Sequence, residues 1–309
     1  MSQTQPVVLI SHPMLAGLQT PLEGAGLSVV RGWELEEADK PQVRAIVHAG
    51  EIPLTPEFLT SLPGLGLIAN VSVGYDGVDV TWCRARGVEV THAKGLNADD
   101  VADHALGLLI AAWRNIVVGD QVVRNGGWRD IDRLRPGPSL KGRRVGIVGL
   151  GAIGEAMARR VEALGMIVAW WGPNPKSTSW PRADSLLALA KDSDVLVVAA
   201  RADAANRGLI SAEVIDAVGP HGLIVNVARG QLVDEDALIA ALNDGRLGRA
   251  ALDVFAEEPP PPERWVGVAN TVLTPHTAGG TTDSIPRMVG QAVENVRLFL
   301  AGEPLMSPV

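Results

Sequence analysis

The feature that most constrains this chain is the junction between residues 144–148 and residues 152–164. The first segment is a short apolar run, and the second carries apolar residues on one helical face. Between them the chain reads Gly149, Leu150, Gly151, Ala152, Ile153 and Gly154. After a strand and before a helix, this Gly-x-Gly-x-x-Gly spacing allows a tight turn, close approach of the backbone to a pyrophosphate and close helix packing. The junction therefore predicts a dinucleotide-binding unit in which all six residues contact the cofactor.

Short apolar runs alternate with longer segments of helical period along the whole chain. Several runs are apolar throughout, which is typical of parallel strands covered on both faces. The runs lie at residues 6–10, 45–48, 67–69, 88–91, 144–148, 167–171, 195–199, 223–227, 250–255 and 271–274. This alternation predicts α/β architecture with parallel sheets, and a length of 309 residues fits two domains.

The chain is expected to cross between the two domains twice, near residues 93–97 and 279–284. One helix is predicted from about residue 97 to about residue 124, which at ~1.5 Å per residue is long enough to run from one domain to the other. The last helix, about residues 285–301, is expected to return to the first domain. We therefore predict a discontinuous substrate-binding domain, residues 1–96 and 281–309, and a dinucleotide-binding Rossmann domain, residues 97–280.

The strand at residues 167–171 indicates which dinucleotide is preferred. It ends at Gly172, where an NAD-binding unit normally carries Asp or Glu to accept the ribose hydroxyls. Without that carboxylate there is no repulsion against a 2′-phosphate, and Asn174, Lys176 and Ser177 can donate hydrogen bonds to it. The sequence predicts NADPH as the preferred cofactor, with NADH as the alternative.

Three further strands each lead to a charged or titratable residue: Arg229, the pair Glu257 and Glu258, and His276. Ligands of open α/β sheets bind at the carboxyl ends of the strands. An arginine there can hold a carboxylate and polarise a carbonyl, and a histidine, with an ordinary pKa of ~6.5, can protonate a new alkoxide. A neighbouring carboxylate favours the protonated imidazole. This set suits reduction of a 2-oxo acid by a nicotinamide hydride, and spacing leaves both glutamates open as the acid.

Six short motifs are distributed over nearly the whole chain. They are Ser-Val-Gly-Tyr-Asp at 72–76, Val-Ala-Asp-His at 101–104, the glycine motif, Asn-Val-Ala-Arg-Gly at 226–230, Leu-Asp-Val-Phe at 252–255 with Glu258-Pro259, and Thr-Pro-His at 274–276. Together they resemble the D-isomer-specific 2-hydroxyacid dehydrogenases, most of all the bacterial NADPH-dependent glyoxylate/hydroxypyruvate reductases. Two features depart from the family pattern, namely Arg201 and the segment 130–138.

The resemblance implies two Rossmann-like or flavodoxin-like domains with the active site in the cleft between them. It implies catalytic Arg229, Glu258 and His276, with His276 as general acid, and it selects Glu258 because this acid precedes a proline. The expected substrate contacts are Arg229, the backbone of Val73 and Gly74, and His48 at the end of a strand in the first domain. Further cofactor contacts are expected at Val227, Ala228, Asp253 and Gly279. Family members are usually dimers, which implies a homodimer.

Composition narrows the range of partners. A formal net charge of −8 disfavours binding to nucleic acid, and the single cysteine, Cys83, forms no internal disulfide. No Cys/His spacing resembles a metal site, and no apolar stretch approaches the ~18 residues of a membrane span. We expect a cytoplasmic protein without metal, membrane or nucleic-acid partners. Two alternatives stay open: a dinucleotide-sensing protein related to transcriptional corepressors, and a reductase of bulkier 2-oxo acids such as phenylpyruvate.

Overall fold

The computed structural model describes residues 6–129 and 136–309, so most of the departing segment 130–138 lies outside the described residues. The chain divides into two compact units. Unit 1 consists of Met1–Asn97 and Thr281–Val309, and unit 2 consists of Ala98–Gly280.

Strands and helices alternate in both units. The strands are β1 (Val7–Ile10), β2 (Ser28–Arg31), β3 (Val43–His48), β4 (Leu67–Asn70), β5 (Glu89–Thr91), β6 (Arg144–Val148), β7 (Ile167–Trp171), β8 (Val195–Val198), β9 (Leu223–Asn226), β10 (Arg249–Leu252) and β11 (Thr271–Leu273). The α-helices are α1 (Gln19–Gly24), α2 (Pro56–Thr60), α3 (Val80–Ala85), α4 (Ala98–Trp113), α5 (Ile116–Arg124), α6 (Ala152–Ala163), α7 (Leu186–Lys191), α8 (Ala212–Val218), α9 (Glu235–Asn243) and α10 (Ser284–Ala301). Short 3₁₀ turns connect several of them.

Unit 1 is a parallel five-stranded sheet in the order β2-β1-β3-β4-β5. Alternate residues of β1 face opposite sides, so that Leu9 packs with α2 and α3 while Val8 packs with α1 and α10. Helix α10 buries Ala292 and Val296 against this sheet. The strand order reverses between β1 and β3, so the carboxyl ends of these two strands form the crevice in which such sheets bind ligands.

Unit 2 is a parallel six-stranded sheet in the order β11-β10-β9-β8-β6-β7. One face buries Ile147 and Val197 under α4 and α6, and the other buries Val148 and Val198 under α7, α8 and α9. The order reverses between β6 and β8, next to the glycine motif. The predicted α/β class with two parallel sheets is therefore confirmed. Strand β2 was not predicted, because it lies at the sheet edge and none of its residues is fully buried.

The single helix predicted for residues 97–124 is wrong. Helix α4 ends at Trp113, and Asn115 has the left-handed φ of 55° before α5 begins at Ile116. A left-handed residue cannot continue a right-handed helix, and asparagine tolerates this conformation better than most residues. Among the described residues no single helix is long and apolar enough to cross a membrane, whereas α4 and α5, bent by 63°, pass that test of length and composition as a pair.

Candidate active site

The glycine motif turns the chain from β6 into α6. Gly149 has a φ of +90°, and a Cβ there would lie 2.5 Å from the Cα of Ala200. A Cβ on Gly154 would lie 2.1 Å from the carbonyl oxygen of Gly149, so this glycine lets α6 pack against the turn. By contrast, a Cβ on Gly151 would meet nothing within 4 Å. The space beside Gly151 lies at the amino end of α6, where helix amides favour anions, and so the turn fits a dinucleotide pyrophosphate.

The tip of β7 lies next to this turn because the N–H of Gly149 donates to the carbonyl of Trp171 at 2.8 Å. Gly172 follows directly and presents no carboxylate. In the exposed loop beyond it, Asn174 and Ser177 face solvent, but the Nζ of Lys176 lies 3.0 Å from Oε1 of Glu155. The structure thus pairs Lys176 with an acid on α6, which competes with the predicted contact to a 2′-phosphate.

Arg182 also lies at this tip, and the sequence prediction missed it. Its Nη2 donates to the carbonyl of Gly172 at 2.7 Å and to that of Pro173 at 3.2 Å. Arg182 is ten residues beyond Gly172, where no pattern in the sequence indicates that its side chain turns back to the strand. The pairing of Trp170 with Arg182, a parallel bridge at the edge of the sheet, brings Arg182 next to the end of β7.

His276 follows β11 and is held in a strained backbone conformation. Its φ is 52°, which is uncommon outside glycine and is often found at functional sites, and its N–H donates to the carbonyl of Asp253 at 2.8 Å. The ring nitrogen Nδ1 lies 2.6 Å from Oε2 of Glu258. The loop after β10 therefore supplies the acid that contacts the imidazole, and that acid is Glu258, not Glu257.

The Glu258 carboxylate is stabilised in its ionised form. Burial raises its pKa, but the hydrogen bonds from His276 and from the N–H of Phe255, together with the positive charges of His276 and Arg229, outweigh burial and lower the pKa below its ordinary value. Because an ionised carboxylate only accepts hydrogen bonds, Nδ1 of His276 carries a proton. The arrangement fixes both the orientation and the tautomer of the imidazole.

Arg229 is positioned by the turn that follows β9. The side-chain oxygen of Asn226 accepts the N–H of Ala228 at 3.0 Å, and its amide donates to the carbonyl of Arg229 at 3.0 Å. The next residue, Gly230, packs against the backbone of Phe255 so tightly that a Cβ would lie 1.8 Å from it. The structure therefore brings the predicted arginine, acid and histidine together at the carboxyl ends of β9, β10 and β11.

Asp253, predicted as a cofactor contact, lies beneath this group and is fully buried. Its Oδ1 accepts the hydroxyl of Thr274 at 2.5 Å and the N–H of Thr277 at 3.0 Å, and its Oδ2 accepts the N–H of Ala278 at 2.9 Å. These bonds fix the segment on both sides of His276. The remaining predicted cofactor contacts lie on the two neighbouring loops, Val227 and Ala228 after β9 and Gly279 after His276.

In unit 1 the predicted substrate contact His48 is fully buried at the end of β3. Its Nε2 lies 2.8 Å from the carbonyl oxygen of Ile52, and because a carbonyl oxygen can only accept, Nε2 carries the proton and donates. In the neutral ring Nδ1 is then the acceptor, and the hydroxyl of Ser11 donates to it at 2.7 Å. Burial lowers the pKa of His48 from 6.5 to about 4, even though the hydrogen bond with Ile52 raises it. His48 therefore stays neutral and fixes the turn after β3 from inside the unit.

The loop of residues 72–76 carries the backbone predicted to hold a carboxylate. The Nδ1 atom of His92 lies 2.9 Å from the carbonyl oxygen of Val73. The hydroxyl of Ser72 donates to the carbonyl of Gly74 at 2.8 Å. Both carbonyl groups are thereby turned towards partners inside unit 1. A Cβ on Gly50 would lie 2.1 Å from the carbonyl oxygen of Gly74, so the turn after β3 supports the same loop.

Comparison with known proteins agrees with this geometry. A family model described as D-isomer specific 2-hydroxyacid dehydrogenase, NAD binding domain, matches residues 106–278. A glyoxylate/hydroxypyruvate reductase of Arabidopsis thaliana is 39% identical over 267 residues, covering 86% of this chain and 83% of that protein. A hydroxyphenylpyruvate reductase of Plectranthus scutellarioides is 40% identical over 268 residues, covering 86% of this chain and 85% of that protein.

Solved structures extend the similarity to the whole chain. The crystal structure of an NADPH-dependent glyoxylate/hydroxypyruvate reductase from Sinorhizobium meliloti, in complex with NADP and malonate, superposes with a TM-score of 0.91 at 33% identity. It covers 99% of this chain and 97% of that one. The similarity therefore extends over both units.

Proposed function

This chain belongs to the D-isomer-specific 2-hydroxyacid dehydrogenase family, and we propose that it reduces a small 2-oxo acid, glyoxylate or hydroxypyruvate in type, to the D-2-hydroxy acid with NADPH. The observation that carries the proposal is the contact of 2.6 Å between Nδ1 of His276 and Oε2 of Glu258 beside Arg229. This group lies in the same unit as a glycine turn that fits a dinucleotide.

Each of the three side chains has a distinct role in the proposed reaction. When bound, the nicotinamide supplies a hydride to the carbonyl carbon of the substrate. Arg229 holds the substrate carboxylate and polarises the carbonyl by paired hydrogen bonds. Because Glu258 engages Nδ1, His276 delivers its proton from Nε2 to the carbonyl oxygen as that oxygen becomes a hydroxyl. Glu258 stabilises the charged imidazole and keeps the ring in this orientation.

The two units divide the binding tasks in this proposal. Residues 97–280 bind the dinucleotide through the glycine turn and through Val227, Ala228 and Gly279, while the fully buried Asp253, predicted as a contact, supports the segment around His276 from beneath. Residues 1–96 and 281–309 bind the substrate, whose carboxylate is held by the N–H groups of Val73 and Gly74. His48 supports the turn after β3 from the interior, and its burial argues against direct contact with substrate.

A panel of 2-oxo acids assayed with NADPH and with NADH tests the proposal. We expect oxidation of NADPH with glyoxylate and hydroxypyruvate. The similarity to a hydroxyphenylpyruvate reductase favours a second candidate, a reductase of bulkier acids, for which phenylpyruvate would be the better substrate. If the cofactor binds but no acid in the panel is reduced, the protein acts as a dinucleotide-sensing binding protein.

The preference for NADPH is tested by Gly172→Asp. A Cβ on Gly172 would lie 3.4 Å from the ring of Trp170, which is ordinary contact, so the backbone there accepts a Cβ without overlap. Its carboxylate would repel a 2′-phosphate and accept the ribose hydroxyls of NADH. We expect the ratio of kcat/KM for NADPH to that for NADH to fall about 10- to 100-fold, measured with one 2-oxo acid. An unchanged ratio would mean that the 2′-position is not recognised near Gly172.

The apolar face of α5 supports the predicted homodimer. Ile116, Val118 and Val123 are about half exposed, and Val118 also lines a small groove together with Ala112 and Thr271. A second copy of the chain would cover these side chains. The predicted cytoplasmic location stays a prediction.

A further inference from the structure

The segment 181–183, beyond β7, has a backbone fixed by hydrogen bonds although it is not part of a regular strand. The N–H of Trp170 donates to the carbonyl of Pro181 at 3.0 Å, and the N–H of Ala183 donates to the carbonyl of Trp170 at 2.8 Å. These two bonds form the parallel bridge between Trp170 and Arg182. The bridge places Arg182 at the edge of the sheet, next to the residues that lead to Gly172.

The side chain of Arg182 is held in one place by three hydrogen bonds to two neutral carbonyl groups. Nε and Nη2 donate to the carbonyl of Gly172 at 3.2 and 2.7 Å, and Nη2 also donates to the carbonyl of Pro173 at 3.2 Å. The guanidinium carbon lies 5.7 Å from the ring centre of Trp170, within the range of a cation–π contact. Carbonyl oxygens carry no net charge, so the guanidinium keeps its full positive charge at the tip of β7.

In dinucleotide-binding sheets, the residue at the tip of this strand lies beside the 2′-position of the adenosine ribose. Here that residue is Gly172, and a guanidinium lies 2.7 Å from its carbonyl oxygen. A phosphate at the 2′-position adds about −1.5 to −2 charge and oxygen acceptors that suit the planar fork of arginine. A side chain that is already fixed also loses less conformational entropy on binding.

We propose that Arg182 is the residue of this chain that recognises the 2′-phosphate of NADPH. This inference rests on the proposed NADPH preference and assigns it to a side chain ten residues beyond the strand tip. Lys176, the cation predicted from the loop sequence, is less suited because Glu155 already offsets its charge at 3.0 Å. NADP-binding sheets often place an arginine near this strand tip, and in this chain Pro173 follows Gly172, so Arg182 supplies the guanidinium from ten residues further along.

Two variants separate recognition of the phosphate from a purely structural anchor. Arg182→Gln removes the charge but keeps an amide that can donate to the Gly172 carbonyl. Arg182→Lys keeps the charge but loses the planar fork. Arg297→Gln is the matched control, because Arg297 is an exposed arginine of α10 whose described partner is Glu294, one helical turn away.

The experiment measures binding of two adenosine fragments by calorimetry, adenosine 2′,5′-bisphosphate and 5′-AMP, which differ only in the 2′-phosphate. We expect wild type to bind the bisphosphate at least about 10-fold more tightly than 5′-AMP. Arg182→Gln should weaken binding of the bisphosphate about 10- to 100-fold and change the affinity for 5′-AMP by less than about two-fold. The affinity of Arg182→Lys for the bisphosphate should lie between those of wild type and Arg182→Gln. Arg297→Gln should bind both fragments as tightly as wild type does. In steady-state assays, Arg182→Gln should raise the KM for NADPH with little change in kcat or in the KM for NADH.

Several results would overturn this assignment. Equal weakening of both fragments in Arg182→Gln would show that Arg182 only anchors the loop. A wild type that binds both fragments equally would show that nothing at this site recognises the phosphate. If wild type prefers NADPH and Arg182→Gln keeps that preference, only the assignment to Arg182 fails. Absence of turnover with every 2-oxo acid would instead refute the proposed reaction, and the fragment binding would still decide the role of Arg182.

Discussion

The His276→Ala variant is expected to lose about 10²- to 10⁴-fold in kcat while its Kd for NADPH changes by less than about two-fold. Alanine removes the group proposed to give a proton to the substrate oxygen, and it leaves the Glu258 carboxylate without its ring partner. The dinucleotide turn at Gly149–Gly154 is formed by other elements and should be unaffected. Stopped-flow turnover with a 2-oxo acid and fluorescence titration with NADPH give the two quantities separately.

The pH dependence distinguishes a proton donor from a structural side chain. In wild type, reduction should slow as the pH rises, because the imidazole must be protonated to act as an acid. Because the pKa of Glu258 is lowered, its carboxylate stays ionised down to a pH below its ordinary pKa. Protonation of Glu258, which would break its ion pair with His276, should therefore affect only the acidic end of the pH profile. The limb at high pH should disappear in His276→Ala and remain in His221→Ala, an exposed histidine that precedes β9. Wild-type turnover by His276→Ala at neutral pH would remove His276 from the acid role.

The parts of the site whose positions follow from the sequence are those governed by local geometry. Glycine spacing between β6 and α6 reflects a positive φ at Gly149 and close packing at Gly154, both of which depend on neighbouring backbone. The order of parallel strands brings their carboxyl ends to one edge, so residues that follow different strands meet without further information. This rule points to Arg229, to His276 and to the pair Glu257 and Glu258, and the family resemblance selects Glu258 from that pair.

The parts that the sequence does not predict depend on contacts with a distant backbone. Arg182 finds its partners through a bridge at the sheet edge, and no residue pattern marks a carbonyl acceptor. The end of α4 depends on one left-handed residue, Asn115, in a stretch that otherwise has helical periodicity. The sequence places His48 at a strand end, but its burial follows from the turn that folds over it. In that turn the carbonyl oxygen of Ile52 accepts a hydrogen bond from Nε2 of His48.

Gly230→Ala is expected to reduce kcat/KM about 100-fold or more and to lower the melting temperature by about 6 °C or more. A Cβ at this position would lie 1.8 Å from both the carbonyl carbon and the oxygen of Phe255, and 2.4 Å from the nitrogen of Ala256. These are backbone atoms, so no rotamer change relieves the overlap. Overpacking typically costs about 1–3 kcal/mol in the free energy of unfolding and occasionally more, and an overlap with rigid backbone belongs at the upper end of that range.

The loss of activity should exceed what reduced stability explains, because the overlap lies between two catalytic loops. Gly230 directly follows Arg229, and the N–H of Phe255 donates to Oε1 of Glu258 at 2.9 Å. Separating the two backbones by even about 1 Å moves the arginine away from the carboxylate that orients His276. Gly290→Ala in α10 is the matched control, since a Cβ there meets nothing within 4 Å and alanine favours a helix by ~1 kcal/mol. Activity assays well below the melting temperature of each variant, with thermal unfolding in parallel, measure both effects. A Gly230→Ala enzyme with wild-type kcat/KM would mean that the two loops do not need this close contact for catalysis.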